Sequence, residues 1–248
     1  MSKILVAIAT YNEIENLPQL VETIQRLLPE SDLLVVDDHS PDGTSLWCME
    51  RQKIDIHFDC VIRAGKLGLG TAVLTAVQYA IFNEYDFFVN LDADWSHPPE
   101  KITELLAVME NMENSSQYDI AIGSRYIHGG EIVGWSFSRK LMSGGVNFLA
   151  RFWLGLPTKD NSGAFRCYRV STLKRILERR IREGKIYSKG YSFFEEILFR
   201  LHQGGAKIIE IPIRFIDRKL GKSKINKREA IRSLAVLFLL GLSRIFGR

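Results

Sequence analysis

Four times in its first half the chain repeats one pattern: a short apolar run, an acidic or glycine-rich stretch, then apolar residues at helical spacing. The runs Lys3–Ala9, Leu33–Val36, Ile56–Ile62 and Phe87–Val89 read as buried strands. A fifth strand starts at Asp119 and runs through Ile120-Ala121-Ile122 into the loop Gly123-Ser124-Arg125-Tyr126. Strands alternating with helices predict an α/β fold with a mostly parallel sheet. In such sheets ligands bind in the crevice beyond the carboxyl ends of the strands, so the residues just after each run are the candidate site. After the first strand, Leu17, Leu20, Ile24, Leu27 and Leu28 predict a helix over Ile14–Leu28, with Asn12 as its cap and Glu15 completing a capping-box-like pair.

The strand ends carry acid. Asp92-Ala93-Asp94 follows Phe87-Phe88-Val89 and precedes the turn signal Pro98-Pro99. Two carboxylates at i and i+2 are hard oxygen ligands suited to Mg²⁺ or Mn²⁺, which take one or two carboxylates plus substrate phosphates. In isolation the same triplet reads more readily as a solvated acidic turn than as a metal site. The second strand ends in Asp37-Asp38, where nucleotide-binding α/β folds hold a ribose hydroxyl. No Gly-x-Gly-x-x-Gly follows the first strand, which disfavours a dinucleotide fold. Gly65-Lys66-Leu67-Gly68-Leu69-Gly70 places Lys66 and backbone N–H groups ahead of a helix expected from Thr71. It reads equally as a phosphate-facing loop or as a flexible connection.

Charge divides the chain. Residues 1–138 hold 8 Lys+Arg against 21 Asp+Glu, whereas residues 139–248 hold 25 against 8. Metal-associated chemistry suits the first part and an anionic partner the second, either nucleic acid or anionic lipid. Nucleic acid is disfavoured, because no binding motif with interleaved aromatics accompanies the cations. The three cysteines lack metal-ligand spacing and read as reduced thiols of a cytosolic setting. The stretch Ala230–Leu242 has an apolar core, Leu234–Leu242, shorter than the ~20 residues a membrane span requires. Flanked by Lys227, Arg228, Arg232, Arg244 and Arg248, it suits a helix lying in a membrane interface, or one packed on the domain or a partner.

Several blocks together resemble family-2 glycosyltransferases and, more narrowly, the dolichol-phosphate (polyprenol-phosphate) mannose synthases within them. They are Thr10-Tyr11-Asn12-Glu13, Val36-Asp37-Asp38 with Ser40-Pro41-Asp42-Gly43-Thr44, Gly65-Lys66-x-Gly68-x-Gly70, Asp92-Ala93-Asp94-x-Ser96-His97-Pro98-Pro99 and Gly123-Ser124-Arg125-Tyr126. The match continues through Trp135-x-x-x-Arg139-Lys140-x-x-Ser143, Asp160-x-Ser162-Gly163-x-Phe165-Arg166, Gly190-Tyr191 with Phe194-Glu195-Glu196, and Arg218-x-x-Gly221-x-Ser223-Lys224. The Gln-x-x-Arg-Trp block of processive polysaccharide synthases is missing, so one sugar is expected to move rather than a chain to grow.

The resemblance implies a glycosyltransferase A-type, Rossmann-like fold over residues 1–228, with an amphipathic interfacial helix over 229–248. It implies a nucleotide-sugar site at Ala9 (a Pro in many relatives), Tyr11, Glu13, Val36, Asp38, Lys66, Asp92, Ala93, Asp94 and Arg125. Metal ligands would be Asp92 and Asp94, with Ser96 third; it is shorter than the Gln of some relatives, and water can take its place. The acceptor phosphate would meet Arg139, Ser143, Arg218 and Lys224, and Asp94, Arg139, Arg218 and Lys224 would carry catalysis. The expected reaction is inverting transfer of one mannose from GDP-mannose to a polyprenyl phosphate on the cytoplasmic face of a membrane, with a small membrane subunit as a possible partner. UDP-glucose or another sugar nucleotide is the alternative donor, and a non-catalytic nucleotide-sugar scaffold the alternative class. A phosphate acceptor is already anionic at neutral pH, so no strong base is needed and Asp94 is expected to hold metal. Glu195 and Glu196 are expected to sit on a helix without a catalytic role.

Overall fold

The computed structural model describes residues 2–111, 118–218 and 227–245, with side chains described from 234 onward in the last segment. Its centre is a seven-stranded sheet in the order β3-β2-β1-β4-β7-β5-β8. These strands are β1 (Ile4–Thr10), β2 (Asp32–Asp37), β3 (Phe58–Ile62), β4 (Phe87–Asp92), β5 (Ile120–Ser124), β7 (Arg166–Arg169) and β8 (Ile208–Pro212). The first four pair in parallel, as do β5 and β8, and β7 runs antiparallel between β4 and β5. A second, two-stranded sheet pairs β6 (Glu131–Val133) with β9 (Arg214–Ile216).

Successive side chains of a strand point to opposite faces, and β1 shows why its run is apolar throughout. Leu5 and Ala7 join the core on one side of the sheet, Val6 and Ile8 the core on the other. α1 (Leu17–Leu27), α2 (Thr44–Ile54) and α4 (Lys101–Glu110) cover the second face. α3 (Leu69–Phe82), α5 (Phe137–Leu154), α6 (Val170–Arg182), α7 (Phe193–Gln203) and α8 (Lys227–Ile245) cover the first.

The strands expected from apolar runs are present, with some shifted ends. β3 starts at Phe58 rather than Ile56, because Asp55 closes a turn by accepting the His57 N–H. The capping box at Asn12 and Glu15 does not form. Asn12 has φ +56° and donates its N–H to Ser40 Oγ, and Asn16 stands at the helix start ahead of Pro18. Proline's fixed φ favours the first helical turn, so the chain bends through residues 11–16 before the helix begins.

α8 packs along α5 and α7, with Leu237 and Leu240 buried in the first core. The approach to α5 is close: a Cβ at Gly241 would fall inside the Trp153 indole. Its other faces leave Leu234, Phe238 and Leu239 exposed. Among the described residues no helix is long and apolar enough to cross a membrane.

α7 is buried from Phe193 to Leu201 although it carries Glu195, Glu196 and Arg200. Glu196 accepts the N–H groups of Tyr187 and Ser188 and lies beside Arg200, so it anchors the segment ahead of the helix. Glu195 Oε2 has no hydrogen-bond partner among the described residues, and burial raises this carboxyl to about 7. The folded chain therefore binds that proton more tightly than the unfolded chain, and stability falls as pH rises from about 4.5 through about 7. Glu195→Gln is expected to raise Tm relative to the parent at pH 8 and to change it little at pH 5. The pH 8 gain is at most roughly 3 kcal/mol, from ~1.36 kcal/mol per pKa unit. Equal gains at both pH values in parallel melts would disprove the assignment.

Candidate active site

Strand order reverses between β1 and β4, and β1's last residues pair with the start of the acidic triplet, Ala9 lying opposite Asp92. A cavity of about 820 Å³ opens at these carboxyl ends. Its floor and walls include Ala9, Tyr11, Glu13, Asp38, Lys66, Asp92, Ala93, Asp94 and Arg218, nine of the residues the sequence singled out. Three strand-end loops here hold a non-glycine residue in the left-handed region: Asn12 (φ +56°), His39 (φ +57°) and Trp95 (φ +61°). Such backbone conformations are costly, and they cluster where surrounding structure fixes a site.

The second strand's two acids divide the work. Asp37 is fully buried and accepts from Thr10 Oγ1, Ser40 N–H, Ser40 Oγ and Ser45 Oγ, which makes it a structural knot. Asp38 reaches the cavity, accepts the Leu67 and Gly68 N–H groups at 3.1 and 3.3 Å, and pairs with Arg63. It thereby draws the glycine loop over the cleft. The Lys66 ammonium sits 4.5 Å from the centre of the Tyr11 ring, a cation–π contact that places both at the rim. Gly70 donates to the Lys189 carbonyl at 3.0 Å, and a Cβ at Gly68 or Gly70 would collide with that segment. Glycine is needed there because Lys189, Gly190 and Phe193 lie directly on the loop.

Asp92 and Asp94 differ in environment. Asp92 lies deep in the protein with about a third of its side chain still open to the cleft. Burial, then the neighbouring Asp94 charge, raises it to about 7. Burial also acts against Asp94, but the Ser96 hydroxyl at 2.6 Å and the Arg218 guanidinium at 3.0 Å hold it below the usual carboxylate range. His97 is buried, and burial lowers it to about 4, so the ring is neutral. Its Nδ1 accepts the Asp92 N–H at 3.2 Å, and its ring stacks on Phe165. The 3.9 Å approach of that nitrogen to the Asp92 carboxylate is accordingly no ion pair. Sequence reasoning gave His97 no role; its place five residues after Asp92 was the available signal.

The donor set fits a divalent cation: two hard carboxylates in one cleft, one of them raised by burial and by the charge of the other. Among the described residues no group of three or more His, Cys, Asp or Glu is placed to hold a metal ion by itself, so the remaining ligands would be phosphate and water oxygens. Ser96 Oγ donates to Asp94 and is 1% exposed, which makes it a prop for that carboxylate rather than a group facing the cavity.

Other expected residues lie elsewhere. Val36 turns its side chain into the sheet core. Arg125 does not face the cleft: it is buried in a bidentate pair with Asp160 at 2.7 Å, because a guanidinium in the interior needs a counter-charge. Arg139 holds Asp217, the residue before Arg218, at 2.9 and 3.1 Å and lies over Trp135, and it does not line the cavity. Ser143 receives the Tyr126 hydroxyl at 2.7 Å and is likewise outside it. Lys224 lies outside the described residues. Sequence reasoning missed two walls: the segment from Tyr187 to Ser192, and the face of α8 formed by Ala235, Val236 and Leu239. The Gly190-Tyr191 match pointed to the first; nothing but an apolar tail pointed to the second.

A family model described as Glycosyl transferase family 2 matches residues 5–177. The chain is 40% identical over 224 residues to the undecaprenyl-phosphate mannosyltransferase of Micrococcus luteus, across 90% of this chain and 88% of that one. It is 37% identical over 237 residues to the polyprenol monophosphomannose synthase of Mycolicibacterium smegmatis, across 93% and 85%. Among solved structures, glucosyl-3-phosphoglycerate synthase from Mycobacterium tuberculosis in complex with Mn²⁺, UDP and phosphoglyceric acid matches with a TM-score of 0.66 at 16% identity, over 97% of this chain and 78% of that one. A mannosyltransferase from Pyrobaculum calidifontis in complex with GDP-Man and Mn²⁺ matches with 0.57 at 14%, over 100% and 65%. At such identity these likenesses show the fold, which is of the glycosyltransferase A type.

Proposed function

The chain belongs to glycosyl transferase family 2, and we propose that it transfers one mannose from GDP-mannose to a polyprenyl phosphate with inversion at the anomeric carbon. The observation that carries this reading is a cavity in which an acidic pair, the Arg218 guanidinium and an apolar helix face meet. It suits a diphosphate, a phosphate and a lipid chain together. The two relatives above, each similar over nearly its full length, are named for mannosyl transfer to such lipids.

In this reading Tyr11, Glu13, Asp38 and Lys66 bind the nucleotide end, and Asp92 and Asp94 hold Mg²⁺ or Mn²⁺ at the diphosphate. Bound there, the ion would screen the charge of the leaving diphosphate. The acceptor monoester arrives already ionised and attacks directly. Arg218 offers planar, charge-assisted donors to its phosphate, and Arg139 pairs with Asp217, which also accepts the Arg218 N–H. The exposed apolar side chains of α5 (Phe137, Leu141, Phe148 and Phe152) and of α8 (Leu234 and Phe238) form the membrane-facing surface.

The test uses the full chain, vesicles of anionic lipid containing polyprenyl phosphate, Mn²⁺ or Mg²⁺, and a panel of labelled sugar nucleotides. Label from GDP-mannose is expected in the lipid extract, and the protein is expected to float with the vesicles. Equal label from UDP-glucose moves the donor assignment; no extractable label from any donor defeats the transferase reading.

A further inference from the structure

Resting on the reading of Asp92 and Asp94 as metal ligands, we infer that His97 is a positioning residue for them, the acceptor that fixes the Asp92 peptide and so the aim of its carboxylate. The β4–β7 ladder ends at Asn90 and Arg166, so β7 does not reach Asp92. His97 Nδ1 takes the Asp92 N–H instead, at 3.2 Å. An N–H donor requires a bare acceptor nitrogen, so Nδ1 carries no proton. The same nitrogen stands 3.9 Å from Asp92 Oδ2 and, lacking a proton, makes no bond that would hold that oxygen back from a cation. A carboxylate could accept the same N–H but would set a third negative charge beside Asp92 and Asp94.

The ring is held on both faces and at its backbone. His97 is 2% exposed, stacked on Phe165 with centroids 5.3 Å apart, and met edge-on by Phe215 at 5.5 Å. Phe165 itself lies against Gly123, where a Cβ would collide with its ring. Just before His97, the Ser96 carbonyl accepts the Ile216 N–H at 3.2 Å, so β9 props this arm of the turn. Just after it, Pro98 restricts His97 to extended backbone. The arm returning from β4 therefore supports both carboxylates, Ser96 Oγ holding Asp94 and His97 holding Asp92. Packing between Phe165 and Phe215 needs only a flat ring; the hydrogen bond needs a nitrogen at one corner of it. Outer partners that orient metal ligands change metal affinity by roughly 10–100-fold when removed.

The test is Mn²⁺ binding to the full chain with GDP or UDP, read from the resonance signal of the free ion, in His97→Phe and His97→Asn. Phenylalanine keeps a ring between Phe165 and Phe215 and removes the acceptor. Asparagine gives up the ring but can set its side-chain oxygen where Nδ1 stands. His97→Phe is expected to weaken Mn²⁺ binding about tenfold or more. His97→Asn should stay within about threefold of the parent chain, although the space it leaves lowers its Tm. A histidine that only fills space reverses that order. Mn²⁺ affinity in His97→Phe within about threefold of the parent, or as weak in His97→Asn as in His97→Phe, overturns the inference. So does a parent chain that binds no Mn²⁺ with either nucleotide. The readout needs no sugar transfer: if the order holds while no sugar nucleotide labels any prenyl phosphate, the positioning role stands and the transferase reading falls.

Discussion

Asp94→Ala is expected to lower kcat/KM for transfer by about a thousandfold or more, the equivalent of roughly 4 kcal/mol of transition-state stabilisation at ~1.36 kcal/mol per factor of ten. The fold should survive. Removing this carboxylate leaves the Ser96 N–H and hydroxyl without their acceptor, which is unfavourable. It also removes the like charge that helps raise Asp92, which is favourable, and Arg218 remains partly open to solvent. Those effects oppose one another, so the expected change in unfolding free energy is within about 1 kcal/mol. Mn²⁺ binding in the presence of nucleotide, followed by the resonance signal of the free ion, should weaken in parallel with activity. Full activity with weakened Mn²⁺ binding would separate the metal from the chemistry. Full activity with unchanged binding would remove Asp94 from the site altogether.

What could be read from residues alone was whatever has a short-range physical signature. β1 and β4 are apolar on both faces because both faces are covered, and their runs show it directly. The acidic ends were legible for a related reason, since a carboxylate at the end of a buried strand has few uses other than a site or a turn. β7 was harder. Its direction, antiparallel between β4 and β5, depends on how the intervening chain returns, and Arg166–Arg169 carries no mark of that. The cap at Asn12 had the right spacing and failed because Ser40, distant in sequence, takes the Asn12 N–H.

The charge asymmetry pointed too simply to anionic partners. Arg166 is fully buried and donates to the Phe194 and Asn161 carbonyls, and Arg169 donates to Met109 and Tyr118. Part of the basic half therefore ties backbone together inside the protein. α5 was illegible for the opposite reason. Apolar residues at 137, 141, 148 and 152 have the same helical spacing whether the stripe covers a core or meets lipid, and here they are exposed.

Arg125 shows how a motif match and a structural role come apart, and Asp160 gives the decisive experiment. The Asp160 carboxylate is fully buried and accepts from Arg125 N–H at 2.9 Å, from the guanidinium twice at 2.7 Å, and from Gly163 N–H at 3.0 Å. Burial opposes its charge, but Arg125 holds the carboxyl below the usual range, so the pair stabilises the fold above the unfolded carboxylate pKa and is lost only in acid. Asp160→Ala leaves an interior guanidinium without a counter-charge, which costs about 3–5 kcal/mol. For a chain of this size that lowers Tm by roughly 10 °C. Arg125→Met in the same background should recover part of the loss, because the double variant buries no unpaired charge. The neighbouring bonds carry the effect further: Arg125 and Asn147 both reach the Ser162 hydroxyl, and Asn147 sits on α5, the helix that carries Arg139. Loosening α5 should raise KM for the acceptor more than for the donor. If instead Arg125→Met alone raises KM for the sugar nucleotide and leaves Tm unchanged, Arg125 contacts the donor and the buried pair is not what holds it.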